Sequence, residues 1–318
     1  VKSVAAAVVV TLVVAACGGS SSRSTSTSTS TSTSTAHSTT VARSAPPPKP
    51  KPAPAYPQLL AGASVTGSTP FVPAAAWRGR TAAWIARTPG GVTLLSFDQR
   101  VVKLALHSGT VDAGTAGWRY GPKISGAELR HLVAAFNGGF RLDTGVGGFM
   151  SYGHVAVPLS AGRGSIVTYA DGYTDVGSWR AGVPAPGRPV ASVRQNLTLL
   201  VDHGAPAASV DCSSCWGATL GGVVDPARSA LGVTPSGTLI WAGGEHLTPA
   251  ALAGALVGGH VDRAVELDIN PEWVAAYLYD HHRGHGPVTA VAAIPDQSGI
   301  PGQLLAPYSR DFFAISTR

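Results

Sequence analysis

The chain of 318 residues is 44% hydrophobic and only 13% charged, with 39 Gly and 24 Pro, a balance that fits a loop-rich globular body joined to an unstructured segment. Five of its six net positive charges come from Lys2, Arg23, Arg43, Lys49 and Lys51, all within the first 57 residues, which contain no acid. The remainder is close to neutral, which argues against a nucleic-acid-binding body, and no nucleic acid is expected as a partner.

Residues 1–16 hold one Lys and then an apolar run too short to span a membrane comfortably, ending in small residues, as secretory leaders do. Val14-Ala15-Ala16-Cys17 resembles the lipobox of bacterial lipoproteins, which implies that Cys17 is lipidated and becomes the first residue; a plain secretory signal is the other reading. Val in first place matches an alternative bacterial start codon. Residues 17–57 contain a Ser/Thr repeat and a Pro-rich stretch with almost nothing to bury, so they are expected to form a disordered tether, leaving residues 58–318 as the folded part. The expected location is the extracellular side of a bacterial membrane, held by a lipid anchor, with the basic tether attracted to anionic wall polymers or head groups.

In the body, 80–87, 92–97 and 101–108 read as three strands of an antiparallel meander, broken at Pro89-Gly90-Gly91 and at Asp98-Gln99. Ser125 and Glu128 form a capping box ahead of an apolar stripe at Leu129, Leu132, Val133 and Phe136, which predicts a helix ending at Phe136-Asn137-Gly138-Gly139-Phe140. The paired glycines are either an ordinary helix stop or a loop that lets a ligand approach the backbone. A strand pair follows around 149–159, then a hairpin over 166–179 about Asp171-Gly172. The stretch 193–201 is predicted as one strand that opens on Arg194, Gln195 and Asn196: either a pocket mouth or a solvated strand end.

Cys212 and Cys215, in Asp-Cys-Ser-Ser-Cys-Trp, lack the surroundings of a redox motif or a zinc site and read as a short-loop disulfide in an oxidising compartment. Thr234-Pro235-Ser236-Gly237 marks a hairpin between 228–233 and 238–241. Thr248 and Pro249 open a helix with Leu252, Leu256 and Val257 on its core side. His281, His282 and His285 lie in a glycine-flanked loop without supporting ligands, so no metal ligand is assigned. A closing strand is expected over 311–316.

The densest chemistry lies in residues 261–273. Glu266, Asp268 and Asn270 alternate with Val265, Leu267 and Ile269, so an extended chain places three polar groups on one face, with Pro271 ending the strand. Two carboxylates two residues apart have Cα atoms roughly 6.5–7 Å apart, close enough to share a substrate. The competing reading is the solvated face of an edge strand.

Taken in order, Phe136-Asn137-Gly138-Gly139-Phe140, the stretch 193–204, the stretch 228–244 and the stretch 264–273 resemble the phosphodiester glycosidase family over roughly residues 120–318. That resemblance implies an α+β fold, a mixed and largely antiparallel sheet with flanking helices in a single catalytic domain, and a pocket at loop and strand ends. Many members carry Asp-Gly-Gly-Gly-Ser where this chain has Asp268-Ile269-Asn270-Pro271-Glu272, which implies a different substrate in that part of the pocket.

Cleaving a sugar from a phosphate releases a good leaving group, so a carboxylate that stabilises an oxocarbenium-like centre or activates water matters most. Asp268 is the first choice for that role and Glu266 the second. Arg228 supplies a bidentate fork for phosphate and Asn137, Gly138 and Gly139 neutral donors; Arg194, Asn196 and Asn270 are further substrate contacts. An Arg228 simply paired with Asp268 or Glu266 is the alternative. The expected activity is hydrolysis of glycosyl phosphodiesters, as wall or capsule polymer or as small diesters, with no cofactor assigned and a divalent cation compatible with the site. The rival is a noncatalytic lipoprotein that binds anionic glycopolymer.

Overall fold

The computed structural model describes residues 55–115, 117–223 and 225–318. The expected leader, the lipidation at Cys17 and nearly all of the tether fall outside the described residues.

Three antiparallel sheets make up the body. The largest runs Gln58–Leu59, Thr69–Trp77, Arg80–Arg87, Thr93–Phe97, Leu239–Gly244, Arg228–Val233, Arg263–Glu266, Leu199–Asp202 and Ala205–Pro206. A second sheet runs Thr289–Ala292, Ala276–Asp280, Leu132–Asn137, Phe312–Thr317 and Val102–His107. The third runs Thr174–Ser178, Gly164–Tyr169, Val190–Gln195, Phe149–Ser151 and His154–Val157. Local chemistry sets the hairpins. Trp77 pairs with Arg80 across Arg78 and Gly79, both at positive φ, the turn whose twist suits two strands.

Phe136 stands at the centre of the shared core, with its ring 6.3 Å from Phe97, 5.9 Å from Trp241 and 5.7 Å from Phe313. Leu231, Val265 and Leu267 from the large sheet and Phe149, Ile166 and Val176 from the third join the same apolar cluster. Helix Pro249–Gly258 covers the other face of the large sheet through Leu252 and Leu256, and its N-cap holds as the sequence predicts, with Ala251 N donating to Thr248 Oγ1 at 3.1 Å.

The expected α+β architecture with flanking helices is overturned: among the described residues nineteen strands in three sheets far outweigh the only two α-helices, Gly126–His131 and Pro249–Gly258. The predicted helix through Phe136 splits at Leu132. Residues Leu132–Asn137 form a strand between Ala276–Asp280 and Phe312–Thr317, buried along its whole length. A short, wholly apolar run fits a doubly covered strand as well as a buried helix, and tertiary packing decides between them.

Three smaller expectations also change. Val102–His107 leaves the meander to pair with Phe312–Thr317 in the second sheet. The single strand expected over 193–201 is two, Val190–Gln195 and Leu199–Asp202, in different sheets. The acidic strand keeps its ladder only through Glu266, after which Asp268 N turns to donate to Gly138 O at 3.0 Å.

A buried charge network as candidate active site

Strand ends from all three sheets converge on one buried polar cluster. Glu266, Asp268 and Asn270 reach it from the large sheet, Asn137, Gly138 and Gly139 from the second, and Arg194 and Asn196 from the third. Arg263–Glu266 lies between two other strands, and Glu266 and Asp268 are almost fully buried, so this is not the solvated face of an edge strand.

Arg228 is committed to the protein. Its Nη1 donates to Glu266 Oε1 at 2.7 Å and to Trp216 O at 3.0 Å, while Nε donates to Leu247 O at 2.9 Å. Asp268 instead meets Arg310, whose Nη2 donates to Asp268 Oδ2 at 2.8 Å and to Gly139 O at 3.1 Å. Asn270 donates to Asp268 Oδ1 from its backbone N and its Nδ2, both at 3.0 Å. Ser229 ties residues 228 and 268 together, its Oγ lying 3.1 Å from Asp268 O and 2.9 Å from Asn137 Nδ2.

The glycines of the Asn-Gly-Gly turn make room for charge. A Cβ on Gly138 would stand 2.2 Å from Asp311 Oδ2, and one on Gly139 2.7 Å from Arg194 Cζ. Arg194 binds Asp311 with a two-point fork, Nε to Oδ2 at 2.7 Å and Nη2 to Oδ1 at 3.1 Å, and also donates to the carbonyls of Gln195 and Phe140. The amides of Gly138 and Gly139 donate to Asp311 O and Asp311 Oδ2. Asn196 accepts from Phe140 N and donates to Glu266 O. Each predicted catalytic and substrate-binding residue therefore belongs to one network, and its donors and acceptors largely meet one another.

Three residues of this network escaped the sequence reading: Arg310, Asp311 and Asp112. Arg310 and Asp311 sit directly before Phe312–Thr317, a charged pair leading into an apolar strand, and that pattern was the available signal. Asp112 comes from a loop and carries no such mark; its carboxylate forms an ion pair with Arg310 Nε and accepts from Leu142 N.

Electrostatics follows from this census. Arg194, Arg228 and Arg310 face Asp112, Glu266, Asp268 and Asp311, three cations against four acids, so one bound proton leaves the buried set neutral. Burial pushes the Glu266 carboxyl up to about 8, against the pull of Arg228 and with a further push from Asp268. Its Oε2 is buried with no hydrogen-bond partner. Burial also raises Asp268 above its ordinary value, opposed by Arg310 and Asn270.

The network approaches solvent on the side of Arg310. Its guanidinium lies 4.0 Å over the half-buried ring of Trp273, and Asp112 lines a cleft with Leu142, Asp143, Trp118 and His154. Half-buried Arg141, paired with Asp143, stands near Asp112 and Asp268 at this margin. On the other side a loop closes over the cluster: Trp216 is buried, Leu220 N donates to Asn270 Oδ1 at 2.8 Å, and Cys212 is disulfide-bonded to Cys215. No group of three or more His, Cys, Asp or Glu side chains placed to hold a metal ion occurs among the described residues.

No protein-family model matches the chain, and no curated protein matches it. Among solved structures it is similar to the zebrafish N-acetylglucosamine-1-phosphodiester alpha-N-acetylglucosaminidase catalytic domain, auto-inhibited by its pro-peptide. The identity is 16% and the TM-score 0.45, over 82% of this chain and 87% of that one. It is also similar to a hypothetical protein from Synechocystis, at 13% identity and a TM-score of 0.41 over 74% of this chain and 61% of that chain.

Proposed function

We propose that the protein hydrolyses glycosyl phosphodiesters, in wall or capsule polymers or as small diesters, releasing a sugar and a phosphomonoester. The observation that carries this reading is the Asp268–Arg310 pair, 2.8 Å apart, beside Trp273 and the Asp112 cleft, with a second carboxyl, Glu266, two residues away. An acid and a fixed cation side by side are what a reaction that develops positive charge on a sugar and leaves negative charge on a phosphate requires. Asp268 is the group that activates water or steadies the sugar cation, while Arg310 with Arg141 receives the phosphate. Water adds to the anomeric carbon, the bond from that carbon to the phosphate oxygen breaks, and the proton of water passes to Asp268. Glu266, held protonated near neutral pH, serves as the reservoir that keeps the buried set neutral. Arg228 acts through Glu266, and Asn137, Arg194, Asn196 and Asn270 position the acids.

The proposal extends to the chain's organisation: residues 1–16 as leader, Cys17 as lipid attachment point, the segment to residue 57 as tether and the rest as the catalytic body on the outer face of a bacterial membrane. Labelling with palmitate, lost in Cys17→Ser, tests the anchor.

The deciding experiment is turnover of a glycosyl-phosphate diester in heavy-oxygen water, run with added divalent cations and with chelator. Label in the sugar is expected; label in the phosphate means that the P–O bond breaks and the glycosidase reading fails. One observation favours a second reading, a noncatalytic binder of anionic glycopolymer: Arg228 and the Gly138 and Gly139 amides are already engaged within the protein. Polymer binding that persists in Asp268→Asn, with no turnover by the parent, supports that reading.

A further inference from the structure

A second polar pocket lies at the far end of Phe312–Thr317 from the charge network. Asp311 and Thr317 stand at opposite ends of this strand, about 20 Å apart at ~3.3 Å per residue. The pocket lies between that strand, the edge strand Val102–His107 and helix Gly126–His131, and is lined by Lys103, Arg119, Tyr120, Glu128, His131 and Ser316. Register explains the gathering, since Lys103 sits directly opposite Ser316.

Its chemistry points to one class of ligand. Lys103 and Arg119 are exposed; burial, and after it the charges of Arg130, Lys103 and Arg78, push the His131 imidazole below its ordinary value. The single acid of the lining, Glu128, faces His107, with Oε1 3.2 Å from His107 Nε2. Ser316 Oγ is buried with no hydrogen-bond partner, and Ser316 itself is only 4% exposed. A buried hydroxyl left unpaired costs free energy unless something enters to meet it. Tyr120 also lines the pocket, its ring 6.0 Å from that of Tyr152, over which Arg119 lies at 4.6 Å. An aromatic ring for C–H groups, a hydroxyl and a carboxylate for sugar hydroxyls, and cations for an acidic substituent describe a saccharide subsite. At ≈ 280 Å³ the pocket is near the small end of the ~300–1,000 Å³ range of ligand sites, suited to one ring rather than an oligomer.

We propose that this pocket binds a single sugar ring bearing a phosphate or carboxylate, at a site separate from the buried charge network. Lys103 and Arg119 bind the acidic group, Ser316 and Glu128 meet ring hydroxyls, and Tyr120 flanks the ring.

The test is isothermal titration of the full chain with glucose 6-phosphate, glucuronate, neutral glucose and inorganic phosphate, repeated on Lys103→Gln, Arg119→Gln and Ser316→Ala. The two acidic sugars are expected to bind more tightly than glucose or phosphate, each charge-removing substitution weakening them roughly tenfold. Ser316→Ala is expected to weaken the sugars and leave weak phosphate binding unchanged, and turnover of a small diester is expected to stay at its parental value in all three variants. Binding of acidic sugars that is unchanged in both Lys103→Gln and Arg119→Gln overturns the assignment, as does phosphate that binds as tightly as the sugars. Because turnover is read separately, loss of the hydrolase reading leaves this test intact.

Discussion

The two ends of Phe312–Thr317 treat charge in opposite ways. At its start, Arg310 and Asp311 lie buried against carboxylate and guanidinium partners. At its finish, Lys103 and Arg119 face water around a pocket whose one acid is turned toward a histidine. A buried ion left without its partner is costly, so the first set is bound up with folding, whereas the second can be altered at little structural cost and is free to serve a ligand.

The largest test of that contrast is Arg194→Ala, which strands Asp311 in the interior. Denaturant unfolding is expected to show a loss of about 3–5 kcal/mol, and a loss below 1 would mean that water reaches the network freely. Next comes Asp268→Asn, nearly isosteric, for which diester turnover should fall by ~100-fold or more, about 2.7 kcal/mol, with the fold kept. Opening the bridge in Cys212→Ser with Cys215→Ser removes only a very short loop closure and should cost about 2 kcal/mol or less, with turnover retained; a redox role would instead abolish activity.

Glu266 yields a test by pH. Its carboxyl titrates at about 8 in the folded chain against an ordinary 4.5, so the folded state holds the proton more tightly than the unfolded one. Stability from this group is complete below about 4.5 and is lost as pH rises through about 8, with a slope of up to ~1.4 kcal/mol per pH unit for one proton. Glu266→Gln should flatten that slope in thermal unfolding between these limits. The smallest effect belongs to Arg80→Ala, since the pair with Asp98 has an arginine side chain 54% exposed; a change within ~1 kcal/mol is expected by denaturant titration.

Sequence patterning carried much of this arrangement because some local signals have one solution. Thr248-Pro249 opened a helix, and Asp171-Gly172 and the Thr234–Gly237 turn made hairpins, whereas the alternation of Glu266, Asp268 and Asn270 with apolar residues also fitted an edge strand until the strands on either side made it interior. Where an apolar run had two solutions, as at Leu132–Asn137, the choice rested on strands recruited from residues 276–280 and 312–317, and no window around residue 132 contains them. The same distance hid the role of Gly138 and Gly139. Their missing side chains accommodate Asp311 and Arg194, groups more than fifty residues away, and a glycine pair reads the same whether a substrate or a distant carboxylate comes to rest on it.

The pairing of Thr317 with Val102 and of Phe313 with Phe136 fixes when the charge network can close. Residues 310–317 are translated after every other contributor to the acid cluster, and contacts of such long sequence separation form slowly. A nascent chain lacking them has neither the cation for Asp268 nor the carboxylate for Arg194, so those buried charges stay unpaired until synthesis has delivered residues 310–317.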